Sequence, residues 1–251
     1  ILLLRSFFFF LGVSIFLLLM YKKDAFKTVK KAGLAGLLGG FVMSFSFIAF
    51  VFAMMNTSVA NVVFIISTQT MFLAIFGYFY LREKISIISL LSITLAMMGI
   101  SVMIGDSISG GTLFGNLVAL TIPISFSILV MIIRKNANLD LVPAIWYASI
   151  SSTLISFLMT NDLSFSNNDI LMGFLLGVPQ LTFGFVCITI GSRTTKSVTI
   201  GLLMLAETIF APLWVWLFLN EIPPMSVFIG GSIIVFAIIV KSFDKTKQIS
   251  T

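Results

Sequence analysis

Long apolar runs separated by short polar stretches fill this chain from end to end. Nine runs stand out, at roughly 1–20, 33–54, 59–81, 87–104, 112–133, 142–159, 170–191, 197–219 and 224–240. An α-helix needs about 20 apolar residues to cross the hydrocarbon core of a bilayer, so each run predicts a spanning helix. The polar punctuation reads YKKDAFKTVKK, MNTS, REKIS, GDSISGG, RKNANLD, TNDLSFSNND, SRTTK and NEIPP. The runs are continuous, without the alternation expected of barrel strands. The pattern predicts an all-α polytopic membrane protein.

Charge adds an orientation. Only 10% of the 251 residues are charged and 59% are hydrophobic, with a net charge of +6. That surplus is read as topology before nucleic-acid affinity, because cations collect in cytoplasmic loops. If the runs alternate across the membrane, Lys22, Lys23, Lys27, Lys30, Lys31, Arg82, Lys84, Arg134, Lys135, Arg193, Lys196, Lys241, Lys245 and Lys247 fall on one side. Of the 15 cations, Arg5 alone is left, inside the first run. The opposite loops carry Asp106, Asp162, Asp169 and Glu221. The C-terminus is therefore expected inside. Ile1–Met20 has no basic leader and no small-residue cleavage site, and Lys22 and Lys23 follow it, which favours a spanning helix over a signal peptide. One cysteine, Cys187, and no histidine exclude an internal disulfide and argue against a Cys/His metal site.

The runs also repeat. A shift of 138 residues lays 142–159 on 4–21, 170–191 on 32–53, 197–219 on 59–81 and 224–240 on 86–102. Glu207 falls on Gln69, Thr208 on Thr70 and Glu221 on Glu83. Ala35 and Gly39 fall on Gly173 and Gly177, a small-xxx-small spacing that suits close helix approach. The run 112–133 has no mate, which predicts a first helix upstream of Ile1. The expected whole is a ten-helix bundle of two five-helix repeats, nine helices being present here. Five is odd, so the repeats insert with opposite orientation, as in many secondary transporters. The expected domains are a first repeat at 1–104, a second at 112–241 and a cytoplasmic tail at 242–251.

The acids that close two long helices, in LREK at Leu81–Lys84 and LNEIPP at Leu219–Pro224, together with ETIFAPLWVWLFLNE from Glu207 to Glu221, resemble the EamA branch of the drug/metabolite transporter superfamily. Many members have Pro directly after the mid-helix acid, where this chain has Thr208, with Pro212 later. Members often have Gly before the terminal acid, where this chain has Arg82 and Asn220. The resemblance implies ten helices in the cytoplasmic membrane of a bacterium and transport of small metabolites, often export. It also implies a role for Arg5 in an outer vestibule, against simple snorkelling of its head to the interface.

Candidate chemistry centres on Glu207, an acid in mid-run, where a charge costs about 2.5 to 3.5 kcal/mol or more. Desolvation and a substrate amine act on its ionisation in opposite senses, so proton movement and amine binding can be coupled there. A hydrogen-bonding strut is the structural alternative. Thr208 and Gln69 are expected beside this site, and Trp214 on the same face seven residues on. Gln180 follows Pro179 in mid-run, and both amides need partners in hydrocarbon. Asn61, Thr68 and Asn116 are weaker candidates. Pro179, Pro123 and Pro212 should free the carbonyls of Leu175, Ala119 and Thr208. Glu83 and Glu221 precede new helices at Ser86 and Pro223, so they are read as caps on those helix starts. No catalytic residue, metal or cofactor is expected.

Two functions compete. A secondary transporter of a small uncharged or zwitterionic metabolite fits the repeat; no phosphate-binding GxxxxGK[ST] loop occurs. A membrane-embedded enzyme acting on lipid-like substrates would need clustered acids, His or metal ligands, and these runs lack them. The expected partners are a small-molecule substrate, the lipid bilayer, protons and a second copy in a homodimer, with no nucleic acid.

Overall fold

In a computed structural model, residues 1–104, 113–160, 163–219 and 225–244 are described. The described residues are helical and contain no strand. The helices are α1 (Leu2–Tyr21), α2 (Ala25–Asn56), α3 (Val59–Ser67), α4 (Gln69–Leu81), α5 (Ile87–Ile104) and α6 (Leu113–Lys135). They continue with α7 (Val142–Met159), α8 (Asn167–Leu175), a π-helical segment Leu176–Phe183, α9 (Gly184–Ser192), α10 (Ser197–Met204), α11 (Ala206–Leu219) and α12 (Met225–Ser242). Among the described residues, six stretches are long and apolar enough to span a membrane, and shorter apolar helices lie at Ile87–Met103 and Ser197–Phe210. The chain is an integral membrane protein.

Several predicted helices are subdivided. The run 33–54 lies in a longer helix that starts at Ala25 and breaks at Gly33, whose φ of 51° is open to glycine and strained for other residues. The run 59–81 breaks at Thr68, and 197–219 at Leu205. Pro179 lies in the π-helical segment, so the run 170–191 takes up its proline with a wider turn. Pro123 sits inside α6.

The chain divides into two compact units. Unit 1 holds Ile1–Phe52 and Ser125–Thr194; unit 2 holds Ala53–Ile124 and Thr195–Thr251.

In unit 1, α1 packs on α7 and on the π-helical segment. Ser6 Oγ lies 2.8 Å from Ser152 Oγ, Trp146 Nε1 donates to Ser14 Oγ at 3.0 Å, and the Tyr21 hydroxyl donates to Asp140 Oδ2 at 2.6 Å. The start of α1 thus meets the end of α7 and its end meets the start, so the two helices run antiparallel. Gly173 and Gly177 lie against α1: a Cβ on Gly177 would stand 2.7 Å from the Arg5 carbonyl oxygen. On α2 the tightest approach is at Gly40, where a Cβ would stand 2.5 Å from the Ala144 oxygen. That is one residue beyond Gly39, which meets the Leu129 and Ala144 side chains at 3.1 and 3.6 Å.

In unit 2, α5 and α12 are also antiparallel. A Cβ on Gly99 would stand 2.8 Å from the Gly230 oxygen, and at the other end Lys241 Nζ donates to Ser89 Oγ at 2.7 Å and pairs with Asp244 at 2.6 Å. α4 packs on α10, with Gly77 near Ser197 and Thr70 near Gly201, again antiparallel. Ala74, Ile93, Ala96, Ile100, Leu202 and Ile234 lie in the apolar core of this unit.

Adding 138 to Ile87–Ile104 gives 225–242, the bounds of α12. The same shift carries α4 onto 207–219, against Ala206–Leu219 for α11.

Candidate functional site

Both long apolar runs of unit 2 are interrupted in mid-run, and the polar candidates sit at the interruptions. At the first, the Ile65 carbonyl accepts from Thr68 N at 3.1 Å and from Thr68 Oγ1 at 2.6 Å. These are bonds to the third residue back, so the turn is tighter than α and the helix restarts at Gln69. At the second, Leu205 N donates to the Leu202 oxygen at 3.2 Å, and the Leu205 carbonyl takes Thr208 N at 3.1 Å and Thr208 Oγ1 at 2.7 Å. Neither break contains Gly or Pro. Threonine hydroxyls occupy carbonyls there that a regular helix would bond differently.

The first break is crowded. Gln69 is 5% exposed and Thr70 1%. The Thr70 hydroxyl is buried with no hydrogen-bond partner among the described residues. Gly201 of α10 makes room for it, since a Cβ there would stand 2.7 Å from Thr70 Cα. The second break is open: Glu207 is exposed and starts α11. No described residue forms an ion pair or hydrogen bond with its carboxylate. Thr70 and Gly201 were missed in the sequence. A lone Gly in the run SVTIGLLML was the available signal for a close crossing.

Other predicted site residues lie elsewhere. Asn61 is buried at the start of α3, where its backbone N–H donates to the capping Ser58 Oγ at 3.2 Å. Its Nδ2 donates to Thr57 Oγ1 at 3.1 Å, and the Thr57 hydroxyl donates to Asn116 Oδ1 at 2.8 Å. This cluster holds a helix end, about 12 Å along the axis from Gln69. Trp214 belongs to α11, but its side chain and that of Pro212 fall outside the described residues. In unit 1, Gln180 is exposed on the π-helical segment. Arg5 is 8% exposed, with its guanidinium carbon 5.3 Å from the centre of the Phe50 ring, a cation–π geometry. No described carboxylate pairs with it.

Glu83 does meet a helix start, but a different one from that expected. Its Oε2 accepts from Ser197 N at 3.2 Å, at the opening of α10, not α5. The start of α5 is held instead by Ser86, whose Oγ accepts from Ser89 N at 3.0 Å. The positive end of α10 attracts the carboxylate, and Gly77 clears the space, since a Cβ there would stand 2.6 Å from Glu83 Oε2. Glu221 and the loop residues Asp106 and Asp162 lie outside the described residues. Among the described residues, no group of acids, Cys or His could hold a metal ion.

The profile of the EamA-like transporter family matches residues 1–105 and 113–243. An uncharacterized transporter of Clostridium kluyveri is 27% identical over 270 aligned positions, covering 96% of this chain and 86% of that protein. A protein of known crystal structure shares the fold with a TM-score of 0.82 at 16% identity, over 96% of this chain and 86% of that one.

Proposed function

Because the chain belongs to the EamA-like transporter family of the drug/metabolite transporter superfamily, we propose that it is a secondary active transporter exporting a small metabolite, such as an amino acid or a related compound, by alternating access. Membership already makes it a membrane transporter. The finer reading rests chiefly on one observation: helices related by the 138-residue shift pack on each other antiparallel. α1 lies antiparallel to α7, and α5 to α12. Opposite insertion of two repeats produces this arrangement, and rocking of one repeat against the other is the motion such symmetry permits. The repeats are assigned to 1–104 and 112–241, with 242–251 as a tail on the cytoplasmic side of a bacterial inner membrane.

The broken helices support a substrate site at mid-run. Tight turns at Thr68 and Leu205 put Gln69, Thr70, Glu207 and Thr208 at mid-run, and discontinuous helices at the midplane are where such transporters bind substrate. A carboxylate at this depth is costly in hydrocarbon, which favours a wet pathway beside Glu207. It serves as the titratable coupling group, and Gln69, which cannot ionise, serves as its neutral counterpart. Trp214 and Asn61 in unit 2, and separately Gln180 and Arg5 in unit 1, are assigned as further substrate contacts, and a homodimer is the assigned assembly.

The test is a metabolite screen in reconstituted vesicles, with and without a pH gradient. Accumulation of an amino acid or its analogue that collapses with the gradient supports the reading. Accumulation indifferent to every ion gradient would remove the coupling assignment.

A further inference from the structure

Between Tyr21 and Leu34 the chain makes a separate structural piece. It is bounded by two residues of positive φ, Lys22 at 47° and Gly33 at 51°. Lys22 ends α1, and Gly33 breaks α2, so Ala25–Ala32 is a short helix with a direction of its own. Nothing lies within 4 Å of where a Gly33 Cβ would stand. The glycine is therefore there for its backbone conformation, not for close packing.

The short helix has two faces. Ala25 and Ala32 are buried, with Thr28 and Val29 half-buried between them, the spacing of one helical stripe. The other face carries Lys27, Lys30 and Lys31, all exposed, and Phe26 at 82% exposure. Lys27 and Lys31 stand four residues apart and form a column, which Lys23 precedes in the 3-10 turn Lys22–Asp24. Lys22 adds a fifth exposed ammonium; Asp24 is the one acid within the segment, and Asp140 stands at its edge, where it takes the Tyr21 hydroxyl at 2.6 Å. No described carboxylate forms an ion pair with any of the five. The position shifted by 138 has no such piece: it reads LSFSNND before α8, without a cation. Orienting the loop needs cations alone. It needs neither a docked helix nor a left-handed glycine that turns this helix away from the span.

We propose that Ala25–Ala32 is a binding platform for anionic phospholipid headgroups of the cytoplasmic leaflet. The lysine column meets their phosphates and Phe26 enters the acyl boundary beside them. Charge complementarity identifies the occupant, since an integral membrane protein holds this face where juxtamembrane lysines attract acidic lipid.

The test uses the full chain in mild detergent, titrated with phosphatidylglycerol or phosphatidylcholine, with bound lipid counted by native mass spectrometry. Wild type should hold phosphatidylglycerol about tenfold more tightly than phosphatidylcholine. Lys27→Gln/Lys30→Gln/Lys31→Gln should lose that preference, and the corresponding Lys→Arg triple should keep it. A control removing equal charge elsewhere on the same side, Arg82→Gln/Lys84→Gln/Lys135→Gln, should also keep it. If the control loses as much as the helix variant, binding reflects bulk charge and the platform is refuted. An undiminished preference in the helix variant refutes it as well. Displacement of the lipid by millimolar inorganic phosphate would show a free-anion site in place of a lipid one.

Discussion

Single side chains at the two breaks carry the sharpest expectations. Glu207→Gln keeps the size and most of the hydrogen bonding of the carboxylate but cannot titrate. If Glu207 couples transport to protons, this variant should insert and fold, and vesicle flux driven by a pH gradient should disappear. A normal rate with normal pH dependence would make Glu207 a structural residue. Thr70 and Gly201 give a packing prediction. A Cβ on Gly201 would meet Thr70 at 2.7 Å from Cα and 3.0 Å from Cγ2, and the backbone atom cannot move aside cheaply. Gly201→Val should lower stability by about 1 to 3 kcal/mol, the range for overpacking, read as a fall in unfolding temperature in detergent. Glu83→Ala removes the acceptor of the Ser197 N–H. The expected loss is about 1 kcal/mol, as for other helix caps, with Glu83→Gln recovering part of it.

Secondary elements were legible in the sequence to the extent that one apolar run makes one helix. The runs 87–104 and 142–159 are α5 and α7 with the same bounds, because polar loops bracket them and nothing inside disturbs the ladder. What stayed hidden depended on contacts far along the chain. Gly33 in KKAGLAG reads as another small residue, and its positive φ belongs to the folded backbone. Pro179 announced a disturbance, but not that the helix would widen into a π-helical segment. There Thr182 Oγ1 donates to the Gly177 oxygen at 3.0 Å, and Gly177 sits against the α1 backbone. The breaks at Thr68 and Leu205 carry no breaker residue. Glu83 looked like a cap for the next helix, and its partner stands 114 residues away. The antiparallel α5–α12 pair is testable at this scale. A Cβ on Gly99 would stand 2.8 Å from the Gly230 oxygen and 2.9 Å from Ile234 Cγ1. Gly99→Val should destabilise unit 2 by about 1 to 3 kcal/mol, whereas valine at Gly191, where a Cβ meets nothing within 4 Å, should cost less than about 1 kcal/mol.

For the whole molecule the open question is which side each loop faces, and the cations supply a definite expectation. The connections holding Lys22 to Lys31, Arg82 and Lys84, Arg134 and Lys135, and Arg193 and Lys196 alternate with connections that hold no cation. Cytoplasmic loops keep the cations. Ala137 is exposed in a cation-bearing connection, and its backbone oxygen, not its methyl group, receives Arg193 at 3.1 and 2.8 Å. A cysteine there leaves that contact intact. On the acidic side, Ser166 is a poor probe because its hydroxyl caps α8 together with Asp169. Asn168 is exposed, with no cap role, one residue into the same turn. In a Cys187→Ser background, Asn168→Cys should react with an impermeant thiol reagent added to intact cells, and Ala137→Cys should react only after the membrane is opened. The reverse pattern would invert the molecule and put the C-terminus outside. Labelling of both sites from one face would mean that the connection between them crosses the membrane an even number of times. Ala137 and Asn168 are separated by α7 alone among the described helices, so that outcome would remove α7 as a spanning helix and with it the opposite orientation of the two repeats.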